Sequence, residues 1–306
     1  IAGAGVRTVA DLCCGIGADA VALARTGVRV VAVDRDPLTC AVAAANAEAL
    51  GVAGRVEVRC ADVREVELTG FDAVFVDPAR RTARGRVFDP EAYSPPLSFV
   101  ETLTARVPCG AAKVAPGIPH EAVPEGMAAE WVSYAGDVKE AVLWWGRLAG
   151  EPLQATLLPG GDAVGAASVR QAPDGPVRRY LYEPDGAVIR AHLVAEVADA
   201  VGGALVDPTI AYITADTLVP TPFAAAYELT DVMPFNLKKL KAVVRERGIG
   251  TLTVKKRGSA VAPEEVRKRV KPSGPASATV FLTRVAGAPT MLLGRPAGAP
   301  GKGAGP

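Results

Sequence analysis

A strand, a glycine turn and a helix follow one another near the start of the chain, and this order constrains the fold more than any other feature. An apolar run ends at Asp11, the turn contains Gly15 and Gly17, and a helix is predicted from Asp19 to Ala24. Glycine is needed where the backbone adopts a positive φ or approaches a ligand closely, because a Cβ atom would collide there. The unpaired N–H groups at the start of the helix can face a polar or charged ligand. The pattern therefore predicts a site for a nucleotide-type cofactor.

The turn by itself fits more than one class of cofactor-binding protein. Gly15, Gly17 and Ala20 satisfy the dinucleotide pattern G-x-G-x-x-G/A. Asp34 follows 19 residues after Gly15, at the spacing of an acid that binds the ribose of a dinucleotide. An NAD(P)-dependent oxidoreductase is therefore one interpretation of this segment.

Four predicted strands each end on an acidic residue. The buried runs end at Asp11, Asp34, Asp62 and Asp77, and a helix is predicted over 37–50. In an open parallel sheet, ligands bind at the carboxyl ends of the strands, so the four carboxylates are predicted along one edge. Two later strand-like runs, 130–135 and 140–145, are separated by only four residues, which permits an antiparallel hairpin but not a parallel crossover.

With this ordered set of motifs, residues 1–148 resemble the class I S-adenosylmethionine-dependent methyltransferases, whose mostly parallel sheet ends in such a hairpin. The resemblance implies an α/β, Rossmann-like fold and S-adenosylmethionine as the cofactor. It implies that Asp34 binds the ribose hydroxyls and that Asp62 faces the adenine amino group. The methionine end of the cofactor would be held by the loop residues Asp11, Cys13, Gly15 and Gly17.

The segment that follows the fourth strand lies beside the transferring methyl group in this family. Amine methyltransferases commonly have Asp or Asn, two prolines and an aromatic residue there, whereas this chain has Asp77, Pro78, Ala79 and Arg80. Because methyl transfer is an in-line displacement, the enzyme mainly aligns the nucleophile. We expect transfer to a nucleobase nitrogen, with guanine ahead of adenine, because the aromatic residue is missing and the fork of an arginine suits a guanine edge. The predicted catalytic residues are Asp77, Pro78 and Arg80, and nearby substrate contacts are predicted at Arg81, Phe88 and Lys113.

Other acceptors fit this segment to different degrees. Methylation at C5 of a pyrimidine needs a cysteine nucleophile at the end of the next strand, where the chain has 113–117 without a cysteine, so this reaction is disfavoured. Ribose 2′-O methylation uses an Asp flanked by lysines and a Glu, and Asp77, Lys113 and Glu140 lie on suitable strands. The departure at Ala79 also leaves open an RNA-binding protein with a degenerate methyltransferase core.

The second part of the chain, 149–295, is predicted to form a smaller α+β domain. Helices are predicted over 189–201, 236–247 and 263–270, and strands over 178–182, 225–233, 251–254 and 278–285. The last residues, 296–306, are rich in Gly, Pro and Ala and are predicted to be disordered.

Basic residues are concentrated between Asn236 and Lys271. This segment has twelve basic and three acidic residues, although the whole chain has a net charge of only +1. Such a block on an acidic body suits contact with phosphates. The segment resembles the THUMP-like domain of certain bacterial methyltransferases, which implies a structured RNA (tRNA or rRNA) as the partner. The RNA-binding residues predicted here are Lys238, Lys239, Lys255, Lys256 and Arg257.

The composition narrows the remaining classes. With 306 residues and 49% hydrophobic content, the chain is expected to form two domains. It has no signal peptide and no uncharged apolar run of about 18 residues, so no membrane partner is predicted. The five cysteines form no C-x-x-C pair and the two histidines are isolated, so no metal is predicted and a cytoplasmic location is expected. Only about six residues precede the first strand, so a further segment covering the cofactor is expected before Ile1.

Overall fold

Two compact units make up the protein, seen here in a computed structural model that describes residues 1–82, 85–86 and 89–297. One unit consists of Ile1–Pro159 and Gly165–Ser168, and the other of Gly160–Val164 and the chain from Val169 onward. Each unit is built on its own large sheet with helices packed on it. The predicted α/β architecture with a second, smaller α+β part is confirmed.

The first unit contains a nine-stranded sheet with the strand order β11-β10-β8-β9-β7-β4-β1-β2-β3. The five adjacent strands β7, β4, β1, β2 and β3 run parallel to one another, whereas β9 is antiparallel to both β7 and β8. The predicted hairpin is therefore confirmed. The elements of the first unit are β1 (Thr8–Leu12), α1 (Ala18–Arg25), β2 (Arg29–Asp34), α2 (Pro37–Ala49), β3 (Val56–Cys60), β4 (Ala73–Val76), β5 (Arg81–Thr82), β6 (Gly85–Arg86), α3 (Leu97–Leu103), β7 (Gly110–Val114), β8 (Ala128–Tyr134), β9 (Asp137–Trp145), β10 (Leu153–Leu158) and β11 (Asp162–Ala166).

Local sequence explains why these elements form and where they stop. The side chain of Asp36 accepts a hydrogen bond from the N–H of Leu38, and Pro37 occupies the first turn, so α2 begins with both standard N-terminal signals. All four residues of β4 are buried, as expected for a central parallel strand. Gly110 lies directly opposite Trp145 in the β7–β9 pairing, and any Cβ at Gly110 would collide with the indole ring. This close approach fixes the hairpin against the parallel part of the sheet.

The second unit contains a seven-stranded sheet with the strand order β13-β14-β12-β15-β18-β17-β16. The helices α6 and α7 pack on each other and on β16, where apolar side chains including Leu240, Val244 and Val266 form one core. A separate core contains Tyr212, Tyr227 and Phe281. The elements are β12 (Tyr180–Pro184), α4 (Gly186–Arg190), α5 (Val194–Ala200), β13 (Ala204–Asp207), β14 (Ile210–Ala215), β15 (Ala224–Pro234), α6 (Leu237–Glu246), β16 (Ile249–Lys256), α7 (Pro263–Val270), β17 (Ala276–Val285) and β18 (Ala288–Pro296).

The structure differs from the sequence prediction in several places. The single helix predicted over 189–201 is wrong: α4 and α5 are separate helices, and His192 between them adopts a left-handed φ of 58°. Two strands, β10 and β11, follow residue 148 and extend the first sheet. Pro296, the first residue of the predicted disordered tail, ends β18 and pairs with Tyr227. The rest of that prediction, 298–306, lies outside the described residues.

Candidate active site

The loop between β1 and α1 has a defined shape that hydrogen bonds maintain. Cys13, Gly15 and Gly17 adopt positive φ angles of 61°, 53° and 82°. The N–H of Gly17 donates to the carbonyl of Cys14 at 2.9 Å, and the N–H of Gly15 donates to Oδ2 of Asp34 at 3.0 Å. The end of β2 is therefore tied to the glycine loop, as the sequence spacing of these residues suggests.

A cleft of about 290 Å³ opens beside this loop at the carboxyl ends of β1, β2 and β3. Three of the predicted cofactor residues line it, Cys13, Asp34 and Asp62, together with Ala79 and Tyr93. Asp34 already accepts backbone hydrogen bonds on both oxygens, from Gly15 on Oδ2 and from the N–H of Asp36 on Oδ1 at 3.1 Å. Each carboxylate oxygen can accept a second hydrogen bond, so room remains for two ribose hydroxyls.

Asp62 lies across the cleft in a two-bond ion pair with Arg64. The guanidinium donates to Oδ1 at 2.9 Å and to Oδ2 at 2.5 Å. The hydrogen bonds from Arg64 hold the pKa of the Asp62 carboxyl well below its usual range. Asp62 is therefore an ionised acceptor that an adenine amino group would share with Arg64.

Asp11 is the most deeply buried acid of the site. Its side chain is 1% exposed, and its Oδ2 atom has no hydrogen-bond partner within the described part of the chain. Burial raises the pKa of Asp11 well above the ordinary value, and the negative charges of Asp19 and Asp77 raise it further. Buried polar atoms are nearly always hydrogen-bonded, so an orphaned carboxylate oxygen near the end of β1 fits a cationic or N–H-bearing group of a ligand. The α-ammonium of S-adenosylmethionine is such a group.

Lys113 joins carboxylates from three other elements. Its Nζ lies 3.2 Å from Asp77 after β4, 3.3 Å from Asp19 in α1 and 3.5 Å from Glu140 in β9. Burial alone would lower the pKa of Lys113, but the charges of Asp77, Asp19 and Glu140 outweigh it and raise the pKa above the ordinary value. The sequence predicted Lys113 as a substrate contact, whereas the structure places its ammonium against Asp77. Sequence alone did not identify Asp19 as a site residue, although an acid in the first helical turn after a glycine loop indicates a position close to the cofactor site.

Comparison with known proteins agrees with this geometry. Residues 9–82 match the family model for a methyltransferase domain, and residues 224–296 match the model for a THUMP domain-like family. An uncharacterized S-adenosylmethionine-dependent methyltransferase of Mycobacterium tuberculosis is 33% identical over 286 residues, which cover 91% of this chain and 78% of that protein. The chain belongs to the S-adenosylmethionine-dependent methyltransferases. Its cofactor is S-adenosylmethionine, so the oxidoreductase interpretation of the glycine turn is wrong.

One further similarity concerns the fold of this methyltransferase, and another concerns a short segment of its sequence. A crystal structure assigned to the methyltransferases, from Porphyromonas gingivalis W83, superposes with a TM-score of 0.78 over 96% of this chain and 79% of that one. At 22% identity, this match shows the fold. A ribosomal protein L11 methyltransferase of Pelotomaculum thermopropionicum is 64% identical over 52 residues, which make up 17% of each chain.

Arg80 follows Asp77 in the methyltransferase unit and has an incompletely satisfied guanidinium. Its Nη1 atom is buried and has no hydrogen-bond partner among the described residues. The preceding residue, Ala79, exchanges backbone hydrogen bonds of 2.9 and 3.0 Å with Ser94, which fixes the chain just before Arg80. The backbone of Arg81 lies in β5, and its side chain and the whole of Phe88 lie outside what the structure describes.

The predicted RNA-binding residues of the second unit fall into two groups. Lys238, Lys239 and Lys256 are exposed, and the side chain of Asn236 caps α6 by accepting from the N–H groups of the first two. Lys255 instead pairs with Glu183 and lies over the ring of Tyr227, 5.6 Å from its centroid. Arg257 similarly lies 5.3 Å from the centroid of Tyr212. Two of the five predicted residues therefore have internal partners.

The cysteine thiols and the potential metal ligands were also the subject of predictions from the sequence, and the structure shows where these groups lie. Cys13 is half-buried, and this partial burial raises the pKa of its thiol to about 12 and disfavours a thiolate. Cys109, which precedes β7, is fully buried and its thiol donates to the carbonyl of Asp72 at 3.2 Å. Over 1–82, 85–86 and 89–297, no group of three or more His, Cys, Asp and Glu side chains could hold a metal ion. In the same residues, no helix is long and apolar enough to cross a membrane.

Proposed function

We propose that this methyltransferase transfers a methyl group to a nucleobase nitrogen of a structured RNA, with guanine preferred to adenine. The observation that carries the proposal is the buried Nη1 of Arg80, which has no partner among the described residues and follows Asp77 by three positions. A guanidinium presents a planar fork of donors that suits the O6 and N7 atoms of guanine or a phosphate. Asp77 offers an acceptor for the N–H of the attacked nitrogen at the same end of the sheet.

Each residue of the site then has a distinct part in the reaction. S-adenosylmethionine, when bound, supplies a methyl group on a cationic sulfur that is open to in-line attack. Asp11 receives the ammonium of the cofactor, which its unpartnered Oδ2 supports, and Asp34 receives the ribose hydroxyls, which its position on the cleft supports. Asp77 accepts a hydrogen bond from the attacked N–H, which aligns the nitrogen lone pair and gives the leaving proton a destination. Asp62 faces the adenine amino group.

RNA as the substrate is supported by the second unit. The match to the THUMP domain-like family covers 224–296, which includes the segment with twelve basic residues. Exposed lysines on α6, beginning with Lys238 and Lys239, provide phosphate contacts that add affinity without reading sequence. We therefore assign catalysis to the first unit, which extends past the predicted boundary at 148, and recruitment of tRNA or rRNA to the second unit, an activity that belongs in the cytoplasm.

A second candidate is methylation of the ribose 2′-hydroxyl. It is favoured by one observation, the position of the Lys113 ammonium between Asp77 and Glu140. An aspartate, a lysine and a glutamate are the residue types that ribose 2′-O methylation uses. The two candidates differ in where the methyl group remains after the nucleoside is split into base and sugar.

The test uses the full chain, S-adenosylmethionine and total RNA from a strain of the source organism that lacks the protein. Nucleosides from the treated RNA are analysed by mass spectrometry. We expect one methylated guanosine whose methyl stays on the base, and loss of that product with Asp77→Ala while S-adenosylhomocysteine still binds. Asp137→Ala, at an exposed residue of the hairpin, is the matched control and should behave as wild type.

Other results would contradict the proposal in distinct ways. A methyl group that remains on the sugar would establish the 2′-hydroxyl as the acceptor. Normal RNA binding with no methylation under any condition would support a degenerate methyltransferase core. An active Asp77→Ala variant would refute the role of Asp77.

A further inference from the structure

Lys113 occupies the junction of four elements of the first unit. Its strand, β7, lies between β4 and β9 in the sheet, and its ammonium meets carboxylates that follow β4, begin α1 and lie within β9. The side chain is only 17% exposed, so water screens these charges less than it would at the surface. Asp77 directs Oδ2 toward this ammonium, which leaves Oδ1 for an acceptor.

The charge balance shows what the ammonium does for its neighbours. Four acidic side chains, those of Asp11, Asp19, Asp77 and Glu140, interact electrostatically with the Lys113 ammonium. Like charges at such distances repel, and an opposite charge favours the ionised form of each acid. The charges of Asp77, Asp19 and Glu140 outweigh burial and raise the pKa of Lys113, so the ammonium stays protonated and cannot serve as a base. Its contribution is therefore a fixed positive charge with a fixed position.

We infer that Lys113 is a positioning residue for methyl transfer, which holds the Asp77 carboxylate toward the acceptor and is itself held by Glu140. This inference rests on the proposed role of Asp77 as the group that orients the acceptor. It gives the hairpin of β8 and β9 a task in the reaction, because Glu140 influences the rate through Lys113 without contacting the RNA. It also distinguishes Lys113 from a substrate-binding residue, whose loss would raise KM.

The experiment compares Lys113→Met, Lys113→Arg and Glu140→Gln with Lys139→Met as the matched control. Lys139 is a lysine of the same hairpin with an exposed ion pair to Asp137. For each full-length variant, kcat and KM are measured with total RNA from the deletion strain, and S-adenosylhomocysteine binding by calorimetry. We expect Lys113→Met to lower kcat about 100-fold, the effect of a misplaced reactive group, with KM and S-adenosylhomocysteine affinity within about 2-fold of wild type. Glu140→Gln should lower kcat about 10-fold, and Lys113→Arg should recover most of the loss.

The opposite results would overturn the inference. An unchanged kcat for Lys113→Met, or a raised KM with an unchanged kcat, would show that the ammonium does not act through Asp77. A loss for Lys113→Met that Lys113→Arg does not restore, with normal Glu140→Gln, would indicate direct contact with a 2′-hydroxyl. If Lys113→Met does not fold, the kcat of Glu140→Gln decides: a reduced value supports the inference and an unchanged value overturns it. Failure of the proposed function can be distinguished from failure of this inference, because in that case the Asp77→Ala variant would retain methyltransferase activity.

Discussion

Replacing Asp11 by asparagine should stabilise the ligand-free protein while weakening its hold on the cofactor. The Asp11 carboxylate is 1% exposed, and its Oδ2 has no hydrogen-bond partner in the described residues. An unpaired buried acceptor costs about 1–3 kcal/mol, and more when it is charged. Asparagine has nearly the same shape without the charge. We therefore expect a gain of at least about 1 kcal/mol at pH 8, or about 2–4 °C in Tm for a unit of this size.

The dependence of this gain on pH has a definite sign. Burial, with the charges of Asp19 and Asp77, raises the pKa of Asp11 in the folded state above its unfolded value. Between these two pKa values the folded state keeps a proton that the unfolded state has lost, so stability falls as pH rises. The asparagine of the variant does not titrate, so the stability difference between variant and wild type should be small at the acid end and widen as pH rises toward the folded pKa of Asp11.

The assay combines unfolding curves with calorimetry. Melts are recorded from pH 5 to pH 8, and the transition of the first unit is identified by its shift with S-adenosylhomocysteine. Affinity for S-adenosylmethionine should fall about tenfold or more, because the cofactor ammonium loses a charged acceptor. Asp137→Asn, at an exposed acid, is the control and should change neither quantity. A less stable Asp11→Asn protein at pH 8, or a gap that does not vary with pH, would refute the reasoning.

Three further outcomes are expected. Asp34→Ala should lower affinity for S-adenosylhomocysteine about 100-fold in calorimetry, because ribose contacts to a charged acceptor are lost, and unchanged affinity would exclude the cleft as the cofactor site. Gly110→Ala should lower the free energy of unfolding by about 3 kcal/mol in urea, because the added Cβ meets the ring of Trp145, while Gly54→Ala, in open space, should stay within about 0.5 kcal/mol. In tRNA binding, replacing Lys238 and Lys239 of α6 by glutamate should reduce the slope of log K against log salt by about 0.7–0.9 for each lost phosphate contact. An unchanged slope would exclude this helix as a phosphate surface.

The parts of the fold that local sequence determines were predictable. The helix predicted over 263–270 corresponds to α7, which begins with a proline in its first turn and has an apolar side directed to the core. The hairpin of β8 and β9 followed from the short connection alone. In contrast, β18 carries a proline near each end and a glycine within it, which reads locally as a turn-rich segment. It forms a strand because β15 and β17 pair with it on both sides, and only the tertiary fold supplies those partners.

Some residues of the candidate site could likewise be predicted from local sequence, and others could not. Asp34 and Asp62 could be placed because each lies at the carboxyl end of a predicted strand, and both line the cleft. Two of the three partners of Lys113, Asp77 and Glu140, were grouped with it from the sequence, whereas the third, Asp19, was not. Asp19 is 94 residues away from it in the chain, and only the position of β7 between β4 and β9 brings the charges within ion-pair distance. A lysine on a strand carries no local signal of such partners.

The loop that contains Cys13 has a consequence for how the cofactor arrives. Cys13 is a non-glycine residue at φ 61°, a left-handed conformation that costs about 1–2 kcal/mol. Hydrogen bonds within the protein, from Gly15 to Asp34 and from Gly17 to Cys14, maintain this loop shape. The conformational entropy of the loop is therefore lost during folding, not during binding. Association of S-adenosylmethionine is then expected to follow a single exponential with a rate proportional to concentration, because no loop has to be ordered after the encounter.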